Sequence, residues 1–153
     1  MNTQETAYWK TYLQTLDNPA EQPSVSVGIA GNPAIADDLL ALYLTAQKTA
    51  GSGLLKDYQL AGDPLPQVGD HWIILDSQAQ PRCIVKTVRV EQHRFAQVPE
   101  AVAIAEGEGD LSLAYWRAAH LEFFKPFLAD WGITDLEQET VVTEYYELVY
   151  PVH

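Results

Sequence analysis

Gln47-Lys48-Thr49-Ala50-Gly51-Ser52-Gly53 is the stretch on which the fold turns. It follows Ile35, Leu39, Leu42, Tyr43 and Ala46, whose spacing predicts a helix with one buried stripe. Asn32 is the expected cap of that helix and Pro33 its first residue, with Asp37 and Asp38 near the end where the macrodipole favours acids. The helix then gives way to a short Gly/Ser-rich turn carrying Lys48. Glycines let backbone approach a ligand closely. A lysine in such a turn offers an ammonium or, when desolvated, an amine base. Most loop lysines are simply solvated, and removing one costs about half a kcal/mol of stability. A second segment of the same kind, Ala105-Glu106-Gly107-Glu108-Gly109-Asp110-Leu111-Ser112, flanks Glu108 with glycines just ahead of an apolar helix.

The rest of the chain is read outward from these two segments. Residues 4–17 carry Tyr8, Trp9, Tyr12, Leu13 and Leu16 at helical spacing, and Asn18-Pro19 is the expected stop. Ser24 to Ile29 reads as a short strand, and Leu54 to Leu60 as a short helix bearing Tyr58. Gly62-Asp63-Pro64-Leu65-Pro66 is a rigid turn. His71 to Leu75 and Cys83 to Glu91 read as a β-hairpin joined through Ser77–Gln80. Glu100 to Glu106 predicts a short helix, Asp110 the cap of a longer one reaching Phe124 with Ser112 a capping residue just inside its start, and Thr140 to Tyr150 a final strand. Helices interspersed with hairpin-forming strands give an α+β pattern.

The chain has 153 residues, the size of one domain, divided here into an N-terminal helix and lead-in (1–23) and a main unit (24–153). Nine Lys and Arg against 21 Asp and Glu leave a net charge of −12, which opposes a broad grip on nucleic acid and makes DNA an unexpected partner. A single nucleoside or nucleotide is not opposed in this way. No apolar run approaches the ~20 residues of a membrane span, and no signal peptide is apparent. The lone Cys83 sits in an apolar run, reads as a buried small side chain, and suits a reducing cytoplasm. His71, His93, His120 and His153 share no ligand spacing with a second His or Cys, so no metal and no cofactor is expected.

Three motifs in order resemble the ASCH superfamily, a PUA-related group, and its longer bacterial branch in particular. AIADDLLALYLTAQKTA matches a helix followed by Gly-x-Lys-Thr. PLPQVGDHWIILD matches a Pro-x-Val-Gly-Asp turn entering a strand. IAEGEGDLSLAYWRAAHLEFF matches Glu-Gly-Glu-Gly-Asp-x-Ser-Leu and a Tyr-Trp-Arg helix. The resemblance spans about Ser24 to Tyr150 and implies a small, partly closed PUA-like β-barrel with flanking helices. Two departures stand out. Ile29-Ala30-Gly31 occupies the place where the family often has Phe-Gly-Asp, and Gly51 replaces the second threonine of Lys-Thr-x-Thr. The carboxylate and the hydroxyl of the pattern are therefore missing.

In small family members the residues matching Lys48 and Glu108 are implicated in amide hydrolysis of N-acetylated cytidine. Amide hydrolysis needs a base, a donor for the leaving amine and stabilisation of the oxyanion. The resemblance thus implies a cleft with Lys48 and Glu108 facing each other, with Ser52 or a water replacing the hydroxyl lost at Gly51. Thr49, Gly51, Tyr58 and Arg117 are the expected ligand contacts. The implied partner is a nucleoside, a nucleotide or single-stranded RNA. The implied activity is hydrolysis of an N-acylated pyrimidine or cleavage of RNA. The alternative is a non-catalytic RNA-binding or regulatory module. Tyr58, Trp72, Tyr145 and Tyr146 read either as a platform for a base or as barrel core. Arg82, Lys86 and Arg94 share one strand face, read as a solvated face or a phosphate patch. Trp116, His120, Phe123 and Phe124 read as core, with His120 a satisfied core histidine.

Overall fold

The computed structural model describes residues 1–17 and 23–151. In chain order the elements are α1 (Thr3–Leu13), β1 (Val25–Ile29), α2 (Ala36–Leu44), β2 (Ala50–Leu54), α3 (Leu55–Ala61), β3 (His71–Leu75), β4 (Pro81–Arg94), α4 (Glu100–Glu106), α5 (Leu113–Phe124) and β5 (Thr140–Tyr150). The five strands form one sheet in the order β1-β3-β4-β5-β2, with only the β1–β3 pair parallel. β4 and β5 pair along most of their length, and their register shifts at Ile84/Val85 and Thr87/Arg89. Such bulges bend a strand and sharpen its twist, so the two long strands curl the sheet into a half-barrel. This is the α+β, PUA-like arrangement that the resemblance implied.

The helices cover the sheet in three packed regions. α1 is started by a capping box between Asn2 and Glu5 and buries Trp9 and Tyr12 against Ile73 and Ile84. α2 packs Leu39, Leu40 and Tyr43 on Ile74, Cys83 and Val85. α4 and α5 pack Val102, Trp116 and Phe124 on Leu54 and Val141. Cys83 is fully buried, as its apolar run implied. Among the described residues no helix is long and apolar enough to cross a membrane.

Four local expectations are corrected. The Gly/Ser-rich turn is shorter than expected, because Ala50–Leu54 is strand β2, paired antiparallel with β5. Its sequence AGSGL carries no β-branched residue; pairing with β5, not propensity, makes it a strand. α2 begins at Ala36, while Asn32 accepts from the Ala34 N–H in a turn before it. Ser112, not Asp110, caps α5 by accepting from the Tyr115 N–H, and Asp110 accepts from the Ser112 N–H. α1 ends at Leu13, and the stop expected at Asn18-Pro19 lies outside the described residues.

Candidate functional site

Backbone hydrogen bonds set the position of Lys48 before its side chain makes any contact. The Lys48 N–H donates to Leu42 O at 3.0 Å and closes the end of α2. Ala46, at the glycine position of the Gly-x-Lys-Thr pattern, takes φ 58°, the left-handed value that glycine adopts without strain. Thr49 then bridges two elements. Its N–H and hydroxyl donate to Ala105 O at 2.7 and 3.2 Å, and its carbonyl accepts from the Tyr146 N–H at 2.8 Å. Gly107 ends α4 at φ 69°, where an added Cβ would lie 2.2 Å from Gln47 O. The two glycine-flanked segments therefore touch through their backbones, and Gln47 Nε2 donates to Gly107 O at 2.8 Å.

This contact brings Lys48 against two carboxylates. Its Nζ lies 2.9 Å from Glu108 Oε2 and 3.2 Å from Glu106 Oε1, with Lys48 only 5% exposed. Glu106 is 2% exposed and surrounded by donors. Ser52 Oγ donates to its Oε2 at 2.8 Å, the Trp116 indole donates to the same oxygen, and His120 Nε2 lies 3.3 Å from Oε1. Burial alone would raise the Glu106 pKa. The hydrogen bond and charge of His120, the Lys48 ammonium and the Trp116 donor outweigh it and hold the carboxyl at about 2. His120 Nδ1 faces Trp116 O at 2.8 Å, so both of its ring nitrogens meet acceptors.

The cluster forms one wall of a cavity of about 270 Å³ between α2, β2, β5 and α5. Tyr43, Trp72 and Tyr146 supply its aromatic walls, with ring centroids 5.6–6.0 Å apart and interplanar angles of 50–82°. Tyr58 also lines it, and burial with nearby Glu144 pushes its phenol up to about 12. The glycines of β2 make room for these rings. A Cβ on Gly51 would lie 3.2 Å from Tyr43 Oη, and one on Gly53 3.6 Å from the Tyr58 ring.

Of the residues singled out in the sequence, Lys48, Glu108, Ser52, Gly51 and Tyr58 come together at this cleft. Ser52 lies on the opposite face of β2 from Gly51, and its hydroxyl is engaged by Glu106 and by Thr143 Oγ1 at 2.8 Å. Thr49 turns its hydroxyl to Ala105 O instead. Arg117 is placed elsewhere: it donates to Phe95 O at 3.1 Å, pairs with Glu137, and lies 4.9 Å over the Phe95 ring. The cause is helical phase. Trp116 and His120, four apart, share the face toward Glu106, and Arg117 is turned about 100° from Trp116. Tyr145 also faces away from the cleft, with its hydroxyl on Glu91 and Arg89 stacked 3.9 Å over its ring. Arg82 pairs with Asp76, and Arg94 donates to Gln138. Among the described residues no group of three His, Cys, Asp or Glu is arranged to hold a metal.

Sequence reasoning missed Glu106, His120 and Glu144. The first two carried a signal, since Glu106 sits two residues before Glu108 and His120 one turn after Trp116. The burial of Lys48 also overturns the expectation that its removal is nearly silent. Lys48→Ala leaves two carboxylates short of a donor and is expected to cost about 1–3 kcal/mol. Urea unfolding measures this; a change within about half a kcal/mol would show that the pair is freely solvated.

A family model described as ASCH domain matches residues 26–150. The chain is also similar to two solved structures. An ASCH domain from Lactobacillus crispatus JV V101 is 29% identical with a TM-score of 0.92, the match covering 99% of this chain and 97% of that one. A protein from Enterococcus faecalis V583 is 29% identical with a TM-score of 0.84, covering 98% of this chain and 92% of that one. No curated protein matches the sequence.

Proposed function

The chain belongs to the ASCH domain family, and on that premise we propose that its cleft binds one nucleoside and hydrolyses an N-acyl group from the base. The observation that carries this reading is the Lys48–Glu108 pair, 2.9 Å apart, on the wall of an aromatic cavity sized for a single heterocycle. Ligand clefts run from roughly 300 Å³ upward, so a cavity of about 270 Å³ is at the small end of that range. Glu108, the less buried carboxylate, takes the proton of a water as the water oxygen bonds to the acyl carbon. The Lys48 ammonium stabilises the oxyanion. The C–N bond then breaks, and the proton held by Glu108 passes to the leaving nitrogen. The products are a carboxylic acid, which gives up its remaining proton to solvent, and the free amine, with Glu108 restored. A water is favoured over Ser52 as nucleophile, because the Ser52 hydroxyl points at Glu106, whose pKa of about 2 makes it a poor base.

The second reading is a binding module without turnover. It is favoured by Gly51, which leaves the cleft without the hydroxyl of the Lys-Thr-x-Thr pattern. Extended RNA fits neither reading well. The cleft's cation, Lys48, is paired with Glu106 and Glu108, and the whole chain carries −12. Thermal shift with cytidine, N-acetylated cytidine and a short oligoribonucleotide tests the binding. The nucleosides are expected to raise the melting temperature and the oligoribonucleotide to leave it unchanged at physiological salt. Chromatography of N-acetylated cytidine after incubation tests turnover. Binding without acetate release would leave the non-catalytic module.

A further inference from the structure

Glu144 is an acid in the cleft that neither the Lys48 cluster nor the proposed hydrolysis engages. It lies on β5 two residues before Tyr146, so both side chains project from one face, and both line the cavity. Among the described residues no cation pairs with it. Its hydrogen-bonding neighbours are neutral, the Thr87 hydroxyl at 2.8 Å from Oε2 and the Tyr146 phenol. Thr87 is itself only 2% exposed, so the carboxyl is held in orientation from behind by a fixed group. Burial raises the Glu144 pKa despite these donors. A partly buried carboxyl without a counter-charge is costly to maintain. The residue across the strand pair is Gly51, and the space its side chain would take is filled by the Tyr43 hydroxyl and the Tyr146 ring, 3.2 and 3.5 Å from a Cβ built there. A side chain at that position would stand beside Glu144, because directly opposed positions place their Cβ atoms about 4.5–5.5 Å apart.

Resting on the nucleoside reading above, we infer that Glu144 is a specificity-determining residue: its carboxyl accepts a hydrogen bond from an N–H on the bound base and selects amino-bearing pyrimidines. Carboxylates accept from the exocyclic amine of cytosine in this way.

The probes are cytidine and the pyrimidin-2-one riboside, which has the same ring and sugar but no amine and no ring N–H. Titration calorimetry on the full chain is expected to show cytidine binding roughly 10–100-fold tighter than the amine-free riboside. Glu144→Gln keeps the shape and removes the charge. It is expected to weaken cytidine about tenfold, to change the amine-free riboside less than about threefold, and to keep the melting temperature of wild type. Wild-type affinities within threefold of each other would overturn the role of Glu144 and leave the nucleoside reading standing. Equal weakening of both ligands by Glu144→Gln would also overturn it, since the residue would then act on cleft shape. Failure of both nucleosides to bind wild type would remove the nucleoside reading itself, and this inference with it.

Discussion

Glu106→Ala is expected to destabilise the fold by about 3–5 kcal/mol, the usual cost of stranding one partner of a buried ion pair. The substitution leaves the His120 ring and the Trp116 indole facing a space that no longer accepts a hydrogen bond, and leaves the buried Lys48 ammonium with Glu108 as its one carboxylate. For a chain of 153 residues each kcal/mol lowers the melting temperature by roughly 2–4 °C, so a fall of roughly 6–20 °C is expected by calorimetry. The same carboxyl sets a direction for pH. Its ordinary value is 4.5 and its folded value about 2, so between these the folded state binds fewer protons than the unfolded one. Its contribution is therefore complete above about 4.5 and is lost as pH falls toward about 2. Wild type is expected to lose stability more steeply across that window than Glu106→Gln. Parallel acid transitions would show that Glu106 is not the group responsible.

Gly107→Ala is expected to cost about 2–5 kcal/mol and, on the proposed nucleoside reading, to abolish binding. A left-handed backbone costs a non-glycine residue roughly 1–2 kcal/mol. The added Cβ would also lie 2.2 Å from Gln47 O and 2.7 Å from its carbonyl carbon, a clash with backbone that no rotamer relieves. Relief requires moving Gln47–Lys48 away from Gly107–Glu108, an overpacking cost of roughly 1–3 kcal/mol. Gly62 gives a matched control. It ends α3 at φ 70° as Gly107 ends α4 at φ 69°, but no atom lies within 4 Å of its virtual Cβ. Gly62→Ala is expected to cost only the backbone component and to leave binding intact. Equal costs for the two substitutions by urea unfolding would remove the close approach of the segments as the cause.

What the sequence disclosed followed a physical division. β3, β4 and β5 are dense in β-branched and aromatic residues, and their positions were readable within a few residues. β2 was not, because AGSGL has the composition of a turn and is made a strand by pairing with β5. At the site, Lys48 and Glu108 were readable through glycines that mark close backbone approach. Glu106 looked like the last residue of a short helix, and only the packing of α5 over it reveals a buried acceptor for Ser52, Trp116, His120 and Lys48. Arg117 was misplaced because the type of residue was weighed before its helical phase. Trp116 and His120, at one-turn spacing, already marked a different face.

The bridging role of Thr49 has a consequence for how the cleft opens. Its hydrogen bonds join the end of α4 to β5, and with them the Lys48 segment to residues 58–60 positions later in the chain. A site held by such distant connections has no partly assembled form, because losing either connection separates Lys48 from its carboxylates. The amides of Thr49 and Tyr146 should then exchange with deuterium only when the whole sheet opens, at the free energy of global unfolding rather than that of a fraying loop. A bound nucleoside would slow both amides together, making their exchange a direct reporter of occupancy.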